Sequence, residues 1–356
     1  MSQSPQDHDS NHTESNEIES GHTDGGHHVD LPHDLPPVEP PSAGMIVQLF
    51  IVPAVIVAIV VGVYSLFGQL ASQELDWRQL VTDVKSENPH VRWRGALGLA
   101  QMLDADSQRG EKSQDLDSNP EIAAALADLY VDRIRGGSPS EEVIKQVEFL
   151  SKAMGRMDVQ DTIFPAFLKG VEEQRDREVR KHSMTGLAMT IGQVRESGET
   201  VHDDAVIDRV IEISQEPDAL MRHQSAYILG LMDTVEAKGR LEVLLEDANQ
   251  MTRVNAAIGF ARNGSLQGLS VFQKILTESS EWQLDPSLVK TQPDEEQYFE
   301  RMLMLLNSLK AIEQIADQLS PEQTAEIAGQ LKALADSTKD QVLRTETLKL
   351  MHTLEG

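Results

Sequence analysis

The chain has 356 residues, with 58 acidic against 31 basic side chains for a formal net charge of −27, and it has no cysteine. Disulfides, thiolate metal sites and cysteine nucleophiles are therefore excluded, and a surface this acidic repels phosphate backbones, so no nucleic-acid partner is expected. Aromatic residues make up only 4% of the chain, which leaves Leu, Ala, Ile, Val and Met to build a core.

Residues 1–44 hold nine Asp or Glu and six His, with no Lys or Arg. Such a composition buries too little apolar surface to offset ordering entropy, so a disordered tail is expected. Its imidazoles (His8, His12, His22, His27, His28 and His33) are of a kind that suits Zn²⁺, Ni²⁺ or Cu²⁺. Their spacing is irregular, and no metal site is assigned to them. Pro32, Pro36, Pro37, Pro40 and Pro41 stiffen the approach to the next segment.

Met45–Phe67 runs 23 residues without a charge. As a helix it covers about 34 Å, enough for the roughly 30 Å hydrocarbon core of a bilayer. It lacks the amphipathic spacing of a buried core helix, and the tail before it lacks the basic start of a signal peptide. A single permanent span over 45–67 is expected, followed by a linker at 68–75. Basic residues flank it on the C-terminal side alone, at Arg78, Lys85, Arg92 and Arg94. The tail is then expected outside and the repeat domain in the cytoplasm.

From 76 to 356 the sequence reads as helices throughout. Asn88–Pro89, Asn119–Pro120, Ser138–Pro139, Asp285–Pro286 and Ser320–Pro321 each set a capping side chain before a proline. Ser138 with Glu141, and Ser320 with Gln323, have capping-box spacing. These marks divide the segment into about seven helix pairs of roughly 40 residues. The second helices are predicted at 90–103, 140–156, 178–194, 218–232, 250–262, 294–316 and 338–354. The connections 104–119 and 279–293 are long and polar and are expected to be mobile excursions.

Within the second helices one ten-residue phrase returns five times: VRWRGALGLA from Val91, VRKHSMTGLA from Val179, MRHQSAYILG from Met221, TRVNAAIGFA from Thr252 and LRTETLKLMH from Leu343. Such recurrence marks one supersecondary unit copied and stacked, a solenoid. The apolar positions of each copy fall on one helix face. The fifth position is always small (Gly95, Ser183, Ser225, Ala256 and Thr347), which is read as letting one pair stack closely on the next. The second position is arginine in every copy: Arg92, Arg180, Arg222, Arg253 and Arg344. Two readings are open. The guanidinium groups line a concave face for an acidic ligand, or each bridges to an acid or carbonyl of the adjacent repeat. One arginine per repeat beside abundant Asp and Glu favours the second.

The phrase, with Asn or Asp just upstream (Asn88–Pro89, Asp176, Asp218), resembles the second helix of a HEAT repeat, nearest the short type of phycobilisome-lyase-like HEAT proteins. Thr162–Val171 is similar to that family's first helix, including Pro165. The resemblance covers roughly 76–354 and is degenerate around 143–154 and 301–316. It implies an all-α, curved right-handed superhelix that binds proteins on its inner face. Some relatives are enzymes.

No Gly-rich phosphate loop, G-x-S-x-G elbow or H-E-x-x-H helix occurs. The His–Glu pairs of hydroxylases built on HEAT repeats are absent too, since the sequence has no His–Glu dipeptide. Outside the tail His90, His182, His202, His223 and His352 remain; His182 and His223 read as partly exposed helix residues, and His202 before Asp203 and Asp204 resembles a helix start more than a metal-ligand trio. Asp104, Asp106, Asp115 and Asp117 form two D-x-D pairs without the glycine and distal glutamate of a calcium loop. No catalytic, cofactor or metal residue is assigned, and the five arginines are carried as structural repeat positions. The expected protein is a single-pass, membrane-anchored HEAT-like scaffold, non-catalytic, whose acids favour a partner protein with a basic surface. The alternatives are an accessory subunit of a larger membrane complex, a lyase-like enzyme or a metal-handling protein.

Overall fold

The computed structural model describes residues 76–355, together with Val57, Val60 and Val61, which are helical and exposed. The tail expected at 1–44, the linker at 68–75 and the rest of the 45–67 span lie outside the described residues. Among the described residues no helix is long and apolar enough to cross a membrane, so they lend the expected anchor no support. The helices from Trp77 onward all belong to one compact unit, Glu74–Gly356.

Side-chain caps start most of these helices. Asn88 accepts from His90 N at 3.0 Å, and Asn119 accepts from Glu121 N and Ile122 N. Ser320 and Gln323 form the reciprocal capping box. One expected start is corrected: Ser138–Pro139 lies in the preceding turn, and Ser140 caps instead, accepting from Val143 N at 3.3 Å. A capping box formed by Thr291 and Asp294 was not anticipated.

Fourteen helices follow, in seven antiparallel pairs: α1 (Trp77–Val84) with α2 (Pro89–Ser107), α3 (Pro120–Arg133) with α4 (Glu141–Met154), α5 (Gln160–Gly170) with α6 (Arg177–Glu196), and α7 (Asp204–Ile213) with α8 (Ala219–Leu229). Then come α9 (Val235–Leu244) with α10 (Gln250–Arg262), α11 (Leu269–Glu278) with α12 (Gln292–Gln314), and α13 (Pro321–Ser337) with α14 (Gln341–Glu355). Each helix packs on its pair mate, and each second helix packs on the second helix of the next pair, from α2 to α14. Such nearest-neighbour packing is that of an α-solenoid, and no strand occurs among the described residues.

The five small positions of the repeated phrase are all buried, and at Gly95 the neighbour differs from the one expected. A Cβ on Gly95 would lie 2.8 Å from Asp83 Cβ and Val84 N, both belonging to α1. At Gly95 the small residue thus closes a pair internally, whereas Ser183 meets Tyr130 of the preceding pair. Other glycines serve the stack between repeats: a Cβ on Gly230 would lie 2.6 Å from Gly259 Cα, at the crossing of α8 and α10.

Two apolar clusters meet at α10. Ala256 and Phe260 belong to the cluster built from α1–α9, whereas Val254, Ala257 and Ala261 belong to the cluster reaching α14. Nearly every residue of α10 from Met251 to Ala261 is buried, Arg253 being the exception.

The 104–119 connection is tied down by one carboxylate. Asp106, 3% exposed, accepts from Ser113 Oγ at 2.8 Å, Gln114 N at 2.9 Å and Leu116 N at 3.1 Å. These bonds wrap two 3₁₀ turns, Gly110–Lys112 and Leu116–Ser118, onto the end of α2. Burial acts to raise the Asp106 pKa, yet the hydrogen bonds outweigh it and hold the group below its ordinary value.

Candidate functional site

Four of the five arginines of the phrase reach carbonyls in the turns between helices. Arg92 donates to Ser86 O at 3.0 Å within its own pair and to Asp132 Oδ2 at 3.2 Å in the next. Arg180 donates to Val171 O at 3.3 Å and, across the repeat boundary, to Glu216 Oε1 at 2.6 Å. Arg222 donates to Glu216 O and Pro217 O, while Nε and Nη2 grip both oxygens of Asp247 at 2.8 and 3.1 Å. Three clips therefore join a pair's own turn to an acid of the following pair, from the first pair to the second, the third to the fourth and the fourth to the fifth. Planar guanidinium supports such two-sided bonding, because its donors diverge in one plane.

The last two copies differ. Arg253 donates only to backbone, to Asp247 O at 2.7 Å and Ala248 O at 3.1 Å, and Arg344 is exposed with no side-chain hydrogen bond among the described residues. Arg177 adds a second inter-repeat fork, holding Asp218 at 2.6 and 3.1 Å. Nothing in the phrase marks Arg177, since its acceptor lies 41 residues away.

The histidines do not converge. His90, His202 and His352 are exposed, while His182 and His223 are half-buried on different helices. Burial lowers both of their pKa values, with Lys181 lowering that of His182 further. Among the described residues no group of three or more His, Asp or Glu could hold a metal ion. Of the D-x-D aspartates, Asp104 is paired with Arg156 at 2.5 Å and Asp106 is spent on its loop.

What the second helices do present is a recess of about 270 Å³ between α2 and α4. Trp93 and Phe149 meet edge to face at one end, with ring centroids 5.1 Å apart. The Asp104–Arg156 ion pair crosses at the other. Between them Ala100, Leu103 and Ala153 form an apolar floor. Alanines facing each other across parallel helices leave the gap that longer side chains would fill. The recess offers an open apolar floor beside a charged pair, and its lining brings together no nucleophile, base and oxyanion donor.

No protein-family model matches the chain, and no curated protein matches it. Solved structures similar to it include the Escherichia coli protein YibA, at 13% identity and a TM-score of 0.38 over 81% of this chain and 96% of that one. Another is the complex of CpcE and CpcF of phycocyanin lyase from Nostoc, at 13% identity and a TM-score of 0.39 over 80% of this chain and 96% of that one. A third is human deoxyhypusine hydroxylase, at 13% identity and a TM-score of 0.30 over 81% and 98%. Likeness at this level concerns the helical-repeat fold alone. It nevertheless corrects the expectation of a chain that is no enzyme. Two of these similar structures are named for enzymes, so a helical-repeat fold of this kind is no ground for excluding catalysis.

Proposed function

We propose that the chain is a helical-repeat scaffold that holds other proteins on the layer formed by its second helices, carried at a membrane by the apolar run 45–67 with the repeats on the cytoplasmic side. The observation that carries this reading is the division of labour among the polar groups. Arg92, Arg180 and Arg222 are spent on joining one repeat to the next, while the α2–α4 recess leaves apolar surface open. A stack held in register by its own ion pairs is a rigid frame, and a rigid frame lowers the entropic cost of capturing a partner.

The test is crosslinking in intact cells, membrane fractionation and pull-down of the full chain, beside a variant lacking 45–67. The expected result is a membrane-bound chain with a reproducible set of crosslinked proteins, lost from membranes when the run is removed. A chain found only in the soluble fraction overturns the anchor, and one crosslinked to nothing overturns the scaffold.

A further inference from the structure

The surface of α12 carries an apolar stripe that the repeat stack does not cover. Phe299 is 60% exposed and Leu303 53% exposed. They stand at i and i+4, on one helix face, and half-buried Leu306 extends the stripe at i+7. Lys349 of α14 pairs with Glu313 of α12 at 3.1 Å, which fixes the flanks that these two neighbouring helices turn toward each other. Phe299, Leu306 and Glu313 recur at sevens along that flank of α12, and Val342, 60% exposed, lies seven residues before Lys349 on α14. The two helices therefore form a furrow with apolar walls, closed at one end by an ion pair.

Its rim is acidic. Glu295, Glu296 and Glu300 are exposed along the same half of α12, and none has a cationic partner among the described residues. Glu295 and Glu296 lie in the first turns, where the helix dipole accounts for them. Glu300 lies beyond that reach, and the dipole does not explain an uncovered phenylalanine.

We infer that this furrow docks an amphipathic basic helix of a partner protein, with large apolar residues on one face and Lys or Arg on the other. The inference rests on the scaffold reading and names its partner chemistry. Charge complementarity chooses among occupants. Residues 1–75 contain no Lys or Arg, so that part of the chain cannot supply the cations. A second copy brings a net charge of −27 against the same acids. Anionic lipid headgroups meet the same repulsion.

The probe is a synthetic peptide helix of alternating Leu and Lys faces, labelled for fluorescence anisotropy against the purified full chain. A scrambled isomer of equal charge serves as control. The amphipathic peptide is expected to bind at least about tenfold more tightly than the isomer, and Phe299→Gln to weaken it by about tenfold, since one buried aromatic side chain carries that much. The triple change E295Q/E296Q/E300Q is expected to flatten the salt dependence. Both variants alter exposed residues, so a thermal melt matching wild type shows that the fold is kept. Equal binding of the two peptides, or no effect of Phe299→Gln, overturns the proposal. So does a concentration-dependent dimer abolished by Phe299→Gln, or capture by phosphatidylserine vesicles through the same residues. If the crosslinked partners persist while the peptide fails to bind, this surface is wrong and the scaffold stands.

Discussion

Tyr130 Oη and Ser183 Oγ lie 2.5 Å apart with both residues fully buried, joining α3 to α6 across a repeat boundary. The direction of this bond follows from its neighbour. Ser183 Oγ already donates to Val179 O at 2.6 Å, so the phenol is the donor and its pKa is pushed up by burial. Removing the acceptor is then worse than removing the donor. Ser183→Ala is expected to cost about 1–3 kcal/mol because it orphans a buried hydroxyl, and Tyr130→Phe less than about 1.5 kcal/mol. A double-mutant cycle by urea denaturation measures both.

Gly170 sits against that same pair: a Cβ there would overlap Tyr130 Oη and Ser183 Oγ. Gly170→Ala is expected to destabilise by about 1–3 kcal/mol through overpacking, despite the better helix propensity of alanine. A stabilised variant in the same denaturation assay would count against this packing.

The arginine clips predict a graded series. Arg222→Ala breaks a half-buried fork to Asp247 and two carbonyl bonds, for an expected loss of about 3 kcal/mol. Arg222→Lys is expected to recover little, because an ammonium cannot span both oxygens. Arg344→Ala, at an exposed site, is expected to stay within about 0.5 kcal/mol of wild type. Equal effects at the two arginines in thermal melts would remove the distinction.

Asp106 sets a pH dependence. Its folded pKa lies below the ordinary value, so the charged form is the one that stabilises. The contribution is whole well above 3.8 and is lost as pH falls through that value and below. Asp106→Asn is therefore expected to lower stability at neutral pH and to narrow the gap to wild type in acid. Hydrogen exchange should show residues 110–118 opening first. A gap that widens in acid would contradict the sign.

Ala257 is fully buried in α10, with Gly268 packed directly on it. Ala257→Glu is expected to cost several kcal/mol, because the carboxylate has no partner there. Calorimetry of the variant reads this directly.

Seven helix pairs and their second helices were legible because two local signals agree: capping residues before proline, and a phrase whose apolar positions share a face. Asn88, Asn119 and Ser320 cap as those rules require. What the sequence hid is long-range. The Arg222–Asp247 and Arg177–Asp218 forks join residues 25 and 41 positions apart. An excess of acids offers many candidate partners at such distances. The small fifth position announced a close approach without saying to which neighbour. Asp106 read as one of four aspartates in a polar loop, since its acceptor role depends on a loop path that spacing does not encode.

Because α10 lends Ala256 and Phe260 to one cluster and Val254, Ala257 and Ala261 to the other, fraying that begins at either terminus travels inward to the same rung. Neither half can melt completely without stripping this helix of half its cover. A pull on the two ends of the repeat array would peel hairpins from both sides and meet its last resistance there.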